Sequence, residues 1–198
     1  MKEIEALIKK AIKYKESGFS DYEIAEELNV SKETAMWLLN KGKETKGKVK
    51  KPEGELKIGW KSIGVYPSRI GCIADALCDI ILEESEKRGF EVETVAGVAI
   101  NGIPYATFVA DNLGLELAIF RPHHEKSGAF CSNYASIANK NIVLIDDVVG
   151  SGETFQSAIK AAKMEKGKPV LCVCLLNKRS MNDVEGVPLR SLIRARAI

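Results

Sequence analysis

Residues 141–159, NIVLIDDVVGSGETFQSAI, restrict the fold of this chain more than any other stretch of it. Ile142, Val143, Leu144 and Ile145 form an unbroken apolar run, which suits a strand covered on both faces rather than one with a face to water. Two acids, Asp146 and Asp147, stand at the end of that strand. A turn containing Gly150, Ser151 and Gly152 follows, and helical spacing starts at Thr154. Glycines let the backbone fold tightly, so several amides and the Ser151 and Thr154 hydroxyls can surround a phosphate. The start of the helix adds its partial positive charge. Adjacent acids beside such a turn suit the hydroxyls of a ribose and a hydrated magnesium ion carried by the ligand. The plain alternative is a glycine-rich turn of any α/β protein, with no anion in it.

From about Leu56 onward the same alternation repeats. LKIGW, residues 56–60, reads as a strand, and residues 67–88 as a helix with Ile70, Ile73, Ala74, Leu77 and Ile81 on one face. Strands are expected at 94–100, 115–120, 141–145 and 170–176, with helices at 103–113 and 154–165. Buried strands separated by amphipathic helices make an α/β fold, a parallel sheet with helices on both sides. Ligands bind beyond the carboxyl ends of such strands.

Residues 1–42 read differently, as three helices. Ile4, Leu7, Ile8, Ala11 and Ile12 recur at helical spacing until Gly18; Ser20 and Glu23 form a capping box for a second helix; Ser31 caps a third that Gly42 stops. Ile24, Ala25 and Leu28 point inward, Asn29 and Val30 turn the chain, and Ala35, Leu38 and Leu39 anchor the last helix. This is helix-turn-helix spacing, with Ala25 small enough to let two helices cross closely. It predicts double-stranded DNA as a partner, faced by Ser31, Lys32, Glu33, Thr34 and Trp37. A helical bundle used only for dimerisation is the competing reading. Residues 43–55, KETKGKVKKPEGE, form a basic linker or a wing, leaving residues 56–198 as the second domain. Residues 1–51 hold 12 Lys against 9 acids, whereas the rest of the chain holds 17 basic and 18 acidic residues. Six Lys fall between Lys41 and Lys51; beside a DNA-reading helix they supply phosphate contacts. Both domains are of kinds that pair, so a homodimer is expected.

The longest apolar stretches, such as residues 170–176, are too short to span a bilayer, and MKEIEALIKK has no signal-peptide core, so the expected location is the cytoplasm, with no membrane partner. The five cysteines are odd in number and contain no C-x-x-C pair; Cys172 and Cys174 share one strand face, as core residues do. No metal ligand set is assigned.

The twelve residues VLIDDVVGSGET resemble the phosphoribosyl-pyrophosphate signature of the type I phosphoribosyltransferases: apolar strand, two acids, two aliphatics, and a small-residue loop closing with Thr. The resemblance implies that Asp146 and Asp147 meet the ribose and that Gly150, Ser151, Gly152, Glu153 and Thr154 cradle the 5′-phosphate, with Mg2+ accompanying the ligand. GVAINGIP, residues 97–104, stands where that family has its pyrophosphate loop, which gives Asn101 and Gly102 this role. AIFRPHHEKSGAFCSNYAS lies where the family carries a mobile loop, with Arg121 and Lys126 as its cations, and GVPLRSLI resembles the closing strand of orotate phosphoribosyltransferases. Those enzymes carry two lysines and a histidine in the loop. Aligned without gaps on Arg121 and Gly128, this chain has Pro122, Glu125 and Ser127 there, and Lys126 substitutes only after a one-residue shift. The adjacent His123 and His124 are poorly spaced to share a metal ion, and read either as contacts to ligand phosphate or as exposed residues without a role. Tyr66, Arg69, Phe130 and Arg179 are further candidates to line the pocket.

As a whole the chain is similar to archaeal orotate phosphoribosyltransferase-like regulators, a group that includes regulators of sugar catabolism and joins a helix-turn-helix to such an effector domain. Trp60, the Ile63-Gly64 pair and Ser68-Arg69 carry that likeness. It implies a type I phosphoribosyltransferase fold kept as a receiver for phosphoribosyl pyrophosphate or a related phosphorylated ribose or nucleotide metabolite, with catalysis lost. The alternative is an active, Mg2+-dependent orotate or other nucleobase phosphoribosyltransferase with a regulatory N-terminal extension.

Overall fold

Gly18, at φ +90°, ends the first helix, and three residues later the capping box starts the second: the Ser20 amide donates to Glu23 Oε2 at 2.8 Å, and the Glu23 amide to Ser20 Oγ at 3.3 Å. The helices are α1 (Lys2–Glu16), α2 (Asp21–Leu28) and α3 (Lys32–Gly42). The computed structural model describes residues 2–28, 30–42, 58–123 and 128–195, which fall into two compact units, Met1–Ser62 and Ile63–Ile198. Asn29, the 43–55 linker or wing, His124 and Lys126 lie outside the described residues. In the first unit Ala11, Ile24, Ala25, Leu28, Ala35, Leu38 and Leu39 make the core, as their spacing predicts.

The second unit is built on a seven-stranded sheet. Its strands are β1 (Thr94–Val98), β2 (Glu116–Arg121), β3 (Ala129–Phe130), β4 (Asn141–Val149), β5 (Lys168–Asn177), β6 (Asp183–Val184) and β7 (Val187–Arg194), in the spatial order β3-β2-β1-β4-β5-β7-β6. The five central strands pair in parallel, and the two-residue strands β3 and β6 return antiparallel along β2 and β7. The sheet expected to be parallel is therefore mixed at both edges, because a short reversal allows only an antiparallel neighbour. The short helix α4 (Lys61–Gly64) spans the division, and the helices of the second unit are α5 (Pro67–Arg88), α6 (Gly102–Leu113) and α7 (Glu153–Met164).

The side-chain alternation of β4 divides the core in two. Ile142 and Leu144 join Cys172, Cys174, Phe155 and Ile159 on the face covered by α7, while Val143 and Ile145 join Leu77, Ile81, Tyr105 and Val109 beneath α5 and α6. Cys172 and Cys174 share one core face as expected, and burial pushes both thiols up. Helix α5 has the predicted bounds because Pro67 suits a first turn and Gly89 supplies the left-handed cap, its amide donating to Ser85 O at 2.9 Å.

Two expectations are corrected. Residues 58–60 are irregular and lead into α4, so the strand read at LKIGW is absent there; the edges of the sheet are taken by β3 and β6. Strand β4 also runs past Ile145 through both aspartates to Val149, because β5 continues to pair with it, Val148 with Leu176 and Val149 with Asn177. Among the described residues no helix is long and apolar enough to cross a membrane.

Glu84 ties α5 to β7. It is 1% exposed, accepts from Arg88 Nε at 2.5 Å and from Arg190 Nη1, while Arg190 Nη2 reaches Glu83 at 3.3 Å. Burial pushes the Glu84 carboxyl up, but the Arg88 hydrogen bond and the Arg190 and Arg88 charges outweigh it and hold it below the ordinary carboxylate range. A depressed folded-state value means that the group's stabilisation is present above its unfolded value and is lost as pH falls through the folded one. Glu84→Gln should therefore cost about 1–3 kcal/mol in urea unfolding at pH 7, both arginines being partly in water, and the difference from the wild type should vanish in acid.

Candidate functional site

The strand order reverses between β1 and β4: the chain leaves β1 through α6 to reach β2 on one side, and leaves β4 through α7 to reach β5 on the other. The connections therefore part at the carboxyl ends of two adjacent strands and leave a crevice. Gly102, the first residue of α6, is pressed onto β4; a β-carbon there would collide with the Ile145 carbonyl and stand 3.1 Å from Asp146 Cα. Only glycine permits that approach. It brings Gly102 beside Asp146, and the Asn101 side chain lies at Asp147.

Both acids are buried, at 9% and 6% exposure. The Asp147 amide donates to Asp146 Oδ1 at 2.9 Å, and the Val148 amide to Asp147 Oδ1 at 2.5 Å. Asp147 Oδ2 is shut off from solvent with no hydrogen-bond partner. Burial raises its carboxyl above the usual range, opposed by the Val148 amide, Asp146 and the Asn101 side chain. Tyr105 is raised too, by burial and by the Asp147 charge. A buried carboxylate with a bare oxygen is poised to accept from a hydroxyl-bearing ligand.

The turn follows directly. Gly150 and Ser151 are exposed, Gly152 sits buried at φ +89°, and α7 begins at Glu153, whose side chain faces water. The Glu153 amide turns to Ser151 Oγ at 3.3 Å. No main-chain or side-chain group of the described residues accepts from the amides of Gly150, Ser151, Gly152 or Thr154. Four such donors beside the start of α7 carry partial positive charge.

Other expectations fare differently. Arg121 is exposed at the end of β2, where it pairs with Ala129; Cys131 and Ala135 donate to Ile119 O and Leu117 O. Residues 129–135, within the stretch read as a loop, thus run back along β2. Phe130 packs its ring 5.3 Å from that of Phe120 in the core, and Arg69 stacks on the exposed Tyr66 at 4.5 Å. Arg179 reaches the turn: a β-carbon on Gly152 would strike its guanidinium. The parallel pairing of β5 with β4 is what carries it there, and no local motif marks it.

On α3, the Thr34 amide donates to Ser31 Oγ at 3.2 Å, so Ser31 caps the helix as expected. Lys32 and Glu33 are exposed, Lys32 lying 5.0 Å over the Tyr22 ring, and Thr34 is half-buried. Trp37 is corrected: at 7% exposure it belongs to the core and does not project outward. Because α3 packs against both α1 and α2, its buried arc is wider than the Ala35, Leu38 and Leu39 seam. The outward position is Met36, 42% exposed and in line with Lys32 and Glu33.

Two substitutions test the turn. Gly152→Ala must hold a side chain at positive φ and displace Arg179, and should lower stability by about 1–3 kcal/mol in urea unfolding. Asp147→Asn should raise it by about 1 kcal/mol at neutral pH. The sign follows from the raised carboxyl: the folded state binds the proton more tightly, so wild-type stability falls as pH rises through that window, and the gain should disappear in acid.

Comparison with known proteins agrees with this geometry. Residues 68–186 match the phosphoribosyl transferase domain. The chain is 50% identical over 199 residues to the transcriptional regulator GfcR of Thermoplasma acidophilum, covering 100% of this chain and 98% of that one. It is 43% identical over 195 residues to the regulator of the same name from Picrophilus torridus, covering 98% of each. In fold it resembles the orotate phosphoribosyltransferase of Mycobacterium tuberculosis H37Rv, solved with 5-phospho-alpha-D-ribosyl 1-diphosphate, at TM-score 0.57 and 12% identity over 69% of this chain and 80% of that one. With its N-terminal helices, mixed sheet and strand-to-turn site, the chain belongs to the archaeal GfcR family of transcriptional regulators, built on the phosphoribosyl transferase domain.

Proposed function

We propose that this protein is a DNA-binding transcription regulator whose second unit senses phosphoribosyl pyrophosphate or a related phosphorylated ribose metabolite. The observation that carries the reading is the pairing of four unengaged amides in the turn with the bare Oδ2 of Asp147. The amides suit a phosphate and the carboxylate suits a ribose hydroxyl. The Mycobacterium tuberculosis enzyme with this fold was solved with such a molecule bound. The exposed side of α3, with Lys32, Glu33 and Met36, is the face offered to a DNA groove, and the lysines of residues 41–51 are the phosphate contacts.

Magnesium enters this reading with the ligand. Among the described residues no group of three or more His, Cys, Asp or Glu could hold a metal ion, whereas Asp146 and Asp147 suit a hydrated ion already bound to a diphosphate. Such an ion would offset the ligand's negative charge beside the two carboxylates. The regulator works in the cytoplasm as a homodimer, its two α3 helices reading two half-sites. Ligand and DNA are linked through the two units, so each must change the other's affinity by the same factor. Turnover is disfavoured because Pro122, Glu125 and Ser127 occupy positions where the related enzymes carry cations and a histidine for departing diphosphate.

Thermal unfolding against phosphoribosyl pyrophosphate with Mg2+, nucleotides and sugar phosphates tests the sensor; ligand at 100 times its Kd should stabilise by about 2.7 kcal/mol. Flat melting curves with every phosphorylated ribose compound would overturn the reading, and turnover with any nucleobase would replace it with the enzymatic alternative. DNA affinity, measured by anisotropy, should vanish on deleting residues 1–51. Against salt it should fall with a log–log slope of roughly −5 for each copy whose six lysines all meet phosphates.

A further inference from the structure

Helix α3 presents one narrow strip to solvent. Ala35, Trp37, Leu38 and Leu39 are buried against its neighbours, which leaves Lys32, Glu33 and Met36 on the outer side of the first two turns. Among the described residues of the first unit, Met36 is the only large apolar side chain that is exposed. An isolated exposed methionine carries no meaning by itself. Its surroundings supply one. The two cations of α3 are drawn to its margins: the Lys32 ammonium lies 5.0 Å over the Tyr22 ring of α2, and that of Lys41 lies 5.9 Å over the Trp37 ring. The middle of the strip is therefore held by an acid and a thioether, neither of which can attract a phosphate. Among the described residues no cation stands within ion-pair distance of Glu33 to change that. In a helix-turn-helix the first residues of the second helix meet base edges, whereas phosphate contacts only position the protein. The major groove displays one apolar group, the C5-methyl of thymine. Methionine is unbranched and polarizable, so it can fit itself to that methyl among edges that are otherwise polar.

We propose that Met36 is a specificity-determining residue of α3, packing its thioether on the C5-methyl of one thymine in each half-site. The proposal rests on the reading of α3 as the helix offered to DNA, and adds which base is recognised and by which side chain. Lys32 and Lys41, at the margins, are left to the phosphates on either side.

Selection of duplexes by the full chain from a randomised pool defines the half-site. Replacing each of its thymines in turn by deoxyuridine, which removes only the methyl, then tests the contact by anisotropy. At one position the replacement should weaken wild-type binding by about 4-fold, the worth of one buried methyl. Met36→Leu should keep that sensitivity. Met36→Ala should bind the thymine and deoxyuridine duplexes equally, and should melt with the wild type because Met36 lies outside the core. Wild-type binding indifferent to every deoxyuridine, or a loss that persists unchanged in Met36→Ala, would overturn the assignment while leaving the DNA reading standing. A lower melting temperature for Met36→Ala would make Met36 a structural residue and overturn it too. So would a change of oligomeric state in Met36→Ala by sedimentation with methyl sensitivity intact, which would place the side chain between two copies of the chain. If the wild type selects no duplex over the random pool, the DNA reading itself fails and the assignment with it.

Discussion

β4 has no side exposed to water, and the rest of the second unit is arranged around that fact. Ile142 and Leu144 need cover on one face, Val143 and Ile145 on the other, and a single strand can have both only between two layers of helix. The covering of α5 and α6 on one side and α7 on the other follows, and with it the crossovers that run in opposite directions from β1 and β4. The crevice at their carboxyl ends is a by-product of burying four aliphatic side chains.

Chemistry enters where that hydrocarbon run stops. Asp146 and Asp147 follow directly on Ile145 within β4, so they inherit the burial of the strand without its apolar character. The backbone then turns on Gly152 and presents amides, while Gly102 lets α6 sit against the same strand. Opposite partial charges are thus held a few residues apart by elements whose positions hydrophobic packing has fixed. Preorganisation of this kind spares a ligand the entropy of ordering its own site.

Much of this was legible from residue types. Periodicity located α5 to the residue, because Pro67 and Gly89 mark its ends, and the signature around Asp146 located the turn. What escaped depended on partners distant in sequence. β4 outlasts its apolar run because β5 remains beside it as far as Asn177; residues 58–60 have no place in a sheet whose edges are filled by β3 and β6; and Trp37 is buried because α3 has two helical neighbours rather than one. Arg179 was already among the candidates read from the sequence, and the register of β5 on β4 brings it to the turn. Local pattern gives an element and its own face, whereas the face that a neighbour covers is set by topology.

The division into two units at Ser62 also sorts the chain's optical and chemical reporters. Both tryptophans, Trp37 and Trp60, belong to the first unit, and all five cysteines, from Cys72 to Cys174, belong to the second. Trp37 lies in the helical core, so with Trp60 replaced by Phe the remaining indole follows the first unit while thiol reactivity follows the second, without a label.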